Sequence, residues 1–481
     1  MFIGRKEQLA DLMTLWRKRA SSIVACRGRR RIGKSTLFRE FARRSADVYI
    51  EIEGLAPQLE NPPTVQDQLD HFIEVLSGLT GCDSSKVDNW FSAFRRLEEQ
   101  IDDSKKTVIL LDEISWMAGA DVNFPGKLRT AWETLFHRHE HLILVVCGSV
   151  SGWIKKNILG NTGFTGRFSR DYVLKELTLA ECAEFWGVAR ERVAPREILD
   201  VLSVTGGVPR YLEEVDPGLS ADENIKRMCF LKSGELYKDF DAIFDPIWGE
   251  GTVLKRKILE TLAEAPMTAG DLAMAVCSAY NGRFIALMKE LVEGGFVDDD
   301  PGRNPETGKP VGIARYRLRD NYTRFFLKYI APHKQEIEYG SYSFTSIDRL
   351  PGWDAIMGLQ FENLVVNNSM QLVRHLGIGN AIVESAAPYR NSKRAGKGGV
   401  RGCQVDLLIQ TARTAYVIEV KRKRFIDEGI VAEVEEKVRR LPLRKALSAR
   451  PVLVYDGELQ PSVEGCGYFD AIVPASDLLG M

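Results

Sequence analysis

Ser22-Ile23-Val24-Ala25-Cys26-Arg27-Gly28-Arg29-Arg30-Arg31-Ile32-Gly33-Lys34-Ser35-Thr36 decides how the first half of the chain is read. The apolar run 22–26 lacks the in/out alternation of a half-exposed strand, which predicts a strand covered on both faces. Residues 28–35 then satisfy the spacing G-x-x-x-x-G-K-[ST], and a helix is predicted from Lys34. Glycines at the two ends let the backbone wrap around phosphate oxygens with its N–H groups inward. The positive N-terminal end of the helix faces the same anion. On this reading residues 28–36 hold a nucleoside triphosphate, with Lys34 reaching the β- and γ-phosphates and Ser35 holding Mg²⁺.

Two further apolar runs, 107–111 and 142–147, alternate with amphipathic helical stretches such as 35–44 and 91–101. The repeated β–α–β order predicts an α/β layered domain. The second run ends in Asp112-Glu113, an acidic pair at the tip of a strand neighbouring the phosphate loop. Asp112 is placed to orient the metal's water shell and Glu113 to polarise the attacking water, so hydrolysis is expected rather than binding alone. The third run ends in Cys147-Gly148-Ser149, where Ser149 would sense the γ-phosphate between the acidic strand and the loop. Arg167 and Arg170 would neutralise transition-state charge, in cis or from a neighbouring subunit of a homo-oligomer; a solvated arginine explains them equally. Arg210, in a turn opening a helix of a helical lid, would approach the nucleotide, although Gly206-Gly207-Val208-Pro209 is also ordinary helix-start punctuation.

In this order, Phe2-Ile3-Gly4-Arg5, the phosphate loop, Leu111-Asp112-Glu113, Gly148-Ser149, Gly166-Arg167 and Gly206-Gly207-Val208-Pro209 make a recognisable set. It resembles the archaeal-type AAA+/STAND P-loop ATPases, the prokaryotic branch often carrying a C-terminal DUF234-like domain. The resemblance implies an ASCE-type P-loop fold with a helical lid. One departure is Gly163-Phe164-Thr165-Gly166-Arg167, where many relatives show Pro-Leu-Tyr-Gly-Arg, which leaves the contact of the arginine open.

Residues 251–300 read as three short helices followed by a Gly/Pro/Asp-rich hairpin and a strand at 314–318, the order of a winged helix. A DNA reader needs basic side chains on the third helix. That helix carries Glu290 and Glu293 beside Arg283 and Lys289, which favours an interdomain or effector-coupling role. The stretch 331–350 lacks periodicity and is expected to be a linker. The expected organisation is an ATPase core at 1–175, a helical lid at 176–248, a winged-helix-like module at 249–330, the linker, and a C-terminal α/β domain at 351–481.

In that last domain Glu362 is expected on a helix, and two strands end near charges that an apolar sheet would not otherwise hold. They are 403–409 with Asp406, and 415–421 with Glu419-Val420-Lys421. The side chains of Glu419 and Lys421 fall on one strand face. There Lys421 would position or activate water, while Glu419, Asp406 and Glu362 supply oxygens for Mg²⁺ or Mn²⁺. Asp406 with Glu419-x-Lys421 is similar to the core of the PD-(D/E)XK nuclease superfamily, and this part of the chain resembles the restriction-endonuclease-like domains of bacterial ATPase–DUF234-like fusions. The resemblance implies a nuclease-like fold whose partner is DNA or RNA, and a non-catalytic binding module remains the alternative. Two basic runs, 390–401 with Arg390, Lys393, Arg394, Lys397 and Arg401, and 421–424, flank the site without an acid and suit a phosphodiester backbone.

Composition sets the outer limits. The 481 residues are 44% hydrophobic and 27% charged, with Lys+Arg 65 against Asp+Glu 66 and a formal charge of −1. This is the balance of a globular chain of several domains, and it excludes one that coats nucleic acid by charge alone. No apolar run approaches the ~20 residues of a membrane span, and the first residues lack a signal segment. Eight scattered cysteines without a Cys-x-x-Cys pair predict reduced, mostly buried thiols and a cytoplasmic setting. His137, His139 and His141 read as a polar turn rather than a zinc site.

Overall fold

The computed structural model describes the whole chain except residues 1, 19, 58–60, 241–250, 301, 312, 313, 344, 345 and 392–401. Its contacts divide the chain into two units, 1–176 with 293–295, and 177–292 with 296–481.

The first unit is built on five strands, β1 (Ser22–Arg27), β2 (Val48–Glu53), β3 (Thr107–Asp112), β4 (Leu142–Gly148) and β5 (Phe168–Val173). They form one sheet in the order β2-β3-β4-β1-β5, and every pairing is parallel. The unbroken apolar runs find their reason here, because alternate side chains feed two separate cores. Ile23, Ala25, Ile109, Leu111, Leu144 and Val146 pack on one face with helices such as Val65–Thr80 and Trp90–Glu98. Val24, Cys26, Val108, Leu110, Ile143 and Val145 pack on the other with Leu37, Phe38 and Phe41 of helix Lys34–Ser45. Strand β4 lies between β1 and the acidic strand β3, so its end with Ser149 falls between the phosphate loop and the acidic pair. The histidine turn is polar, with His139 held by Asp103 at 2.7 Å and Glu98 at 2.9 Å.

The second unit joins segments that the sequence suggested were separate. A single hydrophobic core runs through it from Leu177 to Leu479 and takes in Leu202, Leu259, Phe325, Phe361, Ile418 and Val454. Helices Thr252–Glu264, Ala269–Ala275 and Gly282–Glu293 are followed by a small sheet of β6 (Met267–Thr268), β7 (Val297–Asp298) and β8 (Arg315–Leu318), in the order β6-β8-β7. The expected linker is instead part of the core, since Ile337, Ile347 and Leu350 are buried in it. Their irregular spacing hid this: short helical turns, Lys334–Glu338 and Ile347–Arg349, present single apolar side chains without a helical period.

The C-terminal sheet comprises β9 (Val383–Asn391), β10 (Cys403–Thr411), β11 (Thr414–Ile426), β12 (Ser448–Leu459) and β13 (Ala471–Pro474), in the order β13-β12-β11-β10-β9. β9, β10 and β11 are antiparallel neighbours, whereas β11, β12 and β13 run parallel. Helix Trp353–Asn367 covers one face and helix Gly429–Arg440 the other. No helix among the described residues is long and apolar enough to cross a membrane.

Candidate functional site

The phosphate loop leaves β1 and enters helix Lys34–Ser45 through a backbone that ordinary side chains resist. Gly28 has φ 151°, Arg31 φ 66° and Gly33 φ 82°. A Cβ added at Gly28 would lie 2.5 Å from the backbone carbonyl oxygen of Leu174, a contact that only backbone movement can relieve. Gly28→Ala is therefore expected to cost about 2–3 kcal/mol and to lower the midpoint of thermal unfolding by several degrees, read by calorimetry. The loop is braced from outside by Arg5, a buried residue whose guanidinium donates to the Ile32 carbonyl at 3.1 Å and the Lys175 carbonyl at 2.6 Å. Arg5 stood in the opening motif without a role; its bracing depends on contacts 27 and 170 residues away, which spacing does not reveal.

Lys34 is buried, and its ammonium donates to the Arg29 carbonyl at 3.0 Å, lying across the loop. The Ser35 hydroxyl donates to Asp112 Oδ2. Asp112 Oδ1 accepts from the Glu113 N–H at 2.9 Å, and Glu113 Oε2 accepts from the Ser149 N–H at 3.0 Å and the Ser149 hydroxyl at 2.9 Å. One continuous chain of hydrogen bonds thus links loop, acidic strand and third strand end. Asp112, Glu113 and Ser149 are all buried. Glu113 adopts a left-handed backbone, φ 43°, where β3 turns into the next helix. Ser149 accordingly touches the carboxylate of Glu113, where the sequence suggested a free probe for phosphate. Glu53, at the tip of β2 opposite Asp112, has its carboxyl pushed up by burial and by the negative charges of Asp112 and Glu113. This donor set suits a hydrated divalent cation with a triphosphate. Arg30 lies over the Trp116 ring, 4.9 Å from its centroid, and Thr36 is exposed in the first helical turn.

Three arginines singled out in the sequence have acidic partners. Arg167 precedes β5, and Phe168 is level with Ile23 near the start of β1. The phosphate loop follows the other end of β1, about six residues and roughly 20 Å away at ~3.3 Å per residue. Arg167 pairs with Glu133 and Arg170 with Asp11, so neither reaches the loop of its own chain. Arg210 faces Glu213, Glu214 and Glu235 within the second unit, at 3.1–3.5 Å.

In the C-terminal sheet the structure brings Glu419, Lys421 and Asp406 together and adds two residues from helix Gly429–Arg440. Glu419 is 1% exposed. Its Oε1 faces Lys421 Nζ at 2.7 Å and its Oε2 faces Lys437 Nζ at 2.5 Å. Glu433 bridges both ammoniums, at 2.9 Å from Lys421 and 3.2 Å from Lys437. Asp406 Oδ2 accepts the Val420 N–H at 2.9 Å. Burial and Glu362 push the Asp406 carboxyl up to about 6, against the pull of Lys437. Burial, joined by Asp406, likewise raises Glu419, and burial raises Glu362 against Arg317 and Arg324. Burial opposes the Lys421 charge, but Glu419 and Glu433 outweigh it and hold the ammonium above its ordinary range.

Three carboxylates that sense one another are the right donors for a hard cation. Among the described residues, however, no group of three His, Cys, Asp or Glu side chains is arranged to hold one. The reason is visible at Glu419, where ammonium groups face both oxygens. The basic surroundings also differ from the expected run. Arg422 is buried in ion pairs with Asp200 and Asp456, whereas Lys393, Arg394, Lys397 and Arg401 lie outside the described residues.

Residues 2–215 match a family described as an ATPase domain predominantly from Archaea, so the N-terminal part of the chain carries an ATPase domain similar to those. An uncharacterised protein of Methanocaldococcus jannaschii is 22% identical over 436 residues, covering 89% of each chain. Among solved structures, a Walker-type ATPase of Pyrococcus abyssi aligns with TM-score 0.47 at 16% identity, over 68% of this chain and 96% of that one. The ORC2 protein of Aeropyrum pernix aligns with TM-score 0.44 at 15% identity, over 70% and 95%.

Proposed function

We propose that the chain is an ATP-driven switch in which residues 28–36 bind Mg²⁺-ATP and Glu113 activates water for hydrolysis. The observation that carries this reading is the hydrogen-bond chain Ser35–Asp112–Glu113–Ser149. Lys34 and the loop N–H groups would hold the phosphates, Ser35 and Asp112 the magnesium and its waters. When bound, the metal neutralises charge on the phosphate oxygens. Glu113 takes the proton of the water that attacks the γ-phosphorus, and ADP leaves. Arg167 serves this reaction only from a neighbouring copy, which makes a homo-oligomer part of the proposal. Eight free cysteines suit the reducing interior of a cell.

For the C-terminal sheet we propose a nuclease-like site acting on DNA or RNA, in which Glu362, Asp406 and Glu419 supply oxygens for Mg²⁺ or Mn²⁺ and Lys421 positions water. The winged-helix-like module would link it to the switch. A second reading is favoured by a specific observation: ammoniums face both oxygens of Glu419. On that reading the sheet is a binding module of a regulatory ATPase. Plasmid and single-stranded DNA incubated with the full chain and Mn²⁺ separates the two. The nuclease reading expects cutting that falls by about 10²-fold or more in Asp406→Ala and Lys421→Ala. Absence of cutting, with ATP turnover intact, establishes the binding module.

A further inference from the structure

Strand β11 presents its side chains alternately to two sides of the sheet. Glu419 and Lys421 face helix Gly429–Arg440 through Lys437 and Glu433. Arg422, one residue on, points the other way and meets helix Pro195–Thr205. That helix starts on a proline and ends at Gly206 in the left-handed conformation, φ 65°. Arg196, Asp200 and Ser203, spaced four and three residues apart, fall on one of its faces. Arg422 donates to Asp200 Oδ1 and to the Ser203 hydroxyl at 3.4 Å, and its Nε lies 3.2 Å from Asp456 Oδ2 on the neighbouring strand β12. Arg196 approaches the same Asp456 oxygen at 3.7 Å. The Arg422 side chain is 3% exposed, so this is a desolvated contact rather than a surface pair. Burial pushes the Asp200 carboxyl up, and Arg422 opposes it.

Packing alone does not call for such a group, since well-fitted apolar side chains would hold helix and strand at least as firmly. A planar guanidinium shared by two elements instead fixes their mutual orientation, because its donors are rigidly spaced. Ile198, Leu199 and Leu202 of the same helix lie in the core that also holds Ile418 and Val420 of β11. Helix and strand therefore meet through a shared apolar core and a buried ion pair.

The helix is also tied to the segment that leaves β5 beside the phosphate loop. The Leu174 N–H donates to the Arg27 carbonyl at 2.8 Å, and the Leu174 carbonyl covers Gly28. Three residues later the Leu177 N–H donates to the Gly207 carbonyl at 2.9 Å, directly after the helix cap. Residues 174–177 thus run from the backbone over Gly28 to the end of helix Pro195–Thr205.

We propose that Arg422 is a positioning residue that makes the Glu419–Lys421 strand follow helix Pro195–Thr205, so that the nucleotide state of the phosphate loop is read at the acid–lysine cluster. This rests on the reading of residues 28–36 as a nucleotide site, and it holds whether the cluster cuts or only binds. Amide hydrogen exchange on the full chain, with saturating ADP or a non-hydrolysable ATP analogue, tests it.

In the wild type, peptides covering residues 414–426 and 429–440 should differ about threefold or more in exchange rate between the two nucleotides. Arg422→Met and Asp200→Asn should bind both nucleotides within about twofold of the wild type, yet lose that difference, and Arg422→Lys should keep part of it. A merely structural role would speed exchange with both nucleotides alike and leave the difference standing. The proposal is overturned by Arg422→Met or Asp200→Asn retaining the full difference, or by a wild type that binds nucleotide and shows none. Should Arg422→Met not fold, Asp200→Asn and Arg422→Lys carry the test. If the wild type binds no nucleotide at all, measured separately by fluorescence, the phosphate-loop reading falls first and this inference with it.

Discussion

Replacing Lys34 by alanine should lower ATP turnover by about 10³-fold, through binding and chemistry together. The ammonium is buried at the base of the loop and held 3.0 Å from the Arg29 carbonyl. Its alternative partner is a triphosphate carrying several negative charges in the same pocket. A lysine bonded to one neutral carbonyl in a desolvated place has most of its electrostatic demand unmet, and phosphate oxygens meet it. Alanine removes the charge that offsets phosphate desolvation, so binding weakens together with turnover. Unlike Gly28→Ala, it leaves the backbone free of collision, so loss of activity without loss of thermal stability distinguishes a missing cation from a damaged loop. Phosphate release and thermal unfolding, measured on the same preparation, give both readouts.

Glu113→Gln should separate binding from chemistry. Glutamine keeps the shape of the side chain and its carbonyl oxygen still accepts from Ser149, so the strand end remains as it is. The substitution takes away the basic oxygen. General-base catalysis supplies about 10²–10⁴-fold, and turnover should fall by that amount while ATP affinity stays within a few-fold. Ser149 engages Glu113 Oε2 in this structure, and the carboxylate has a second oxygen with which to serve water. Unchanged turnover in Glu113→Gln removes Glu113 from the role of base and turns attention to Glu53, whose carboxyl is already pushed up beside it.

What the sequence made legible was local. The phosphate loop lies within one strand–turn–helix unit, so residue types at fixed spacing carried it. Glu419 and Lys421 were legible for the same reason, since two residues on a strand always share a face. Legibility stopped where a contact depends on how elements pack. Lys437 and Glu433 belong to the cluster because helix Gly429–Arg440 crosses β11 at that point. Arg422 was read as one member of a basic run suited to a phosphodiester backbone, yet alternation on the strand turns it inward onto Asp200. Arg167 precedes β5, which is parallel to β1, so it lies at the strand end opposite the phosphate loop, and of the two roles open to it only the one from a neighbouring copy stays within reach. The stretch 331–350 passed for a linker because its buried residues, Ile337, Ile347 and Leu350, have no period to detect.

The two units also change how the chain is understood. The helical segment after residue 176 shares its core with the C-terminal sheet.

Equilibrium titration of a fluorescent ATP analogue into the full chain with Mg²⁺, alongside Lys34→Ala, addresses the nucleotide site most directly. Saturable binding near one nucleotide per chain, weakened by about 100-fold or more in the variant, is the result this account requires. Equal affinity in wild type and variant, or no binding to a folded wild type, would contradict it.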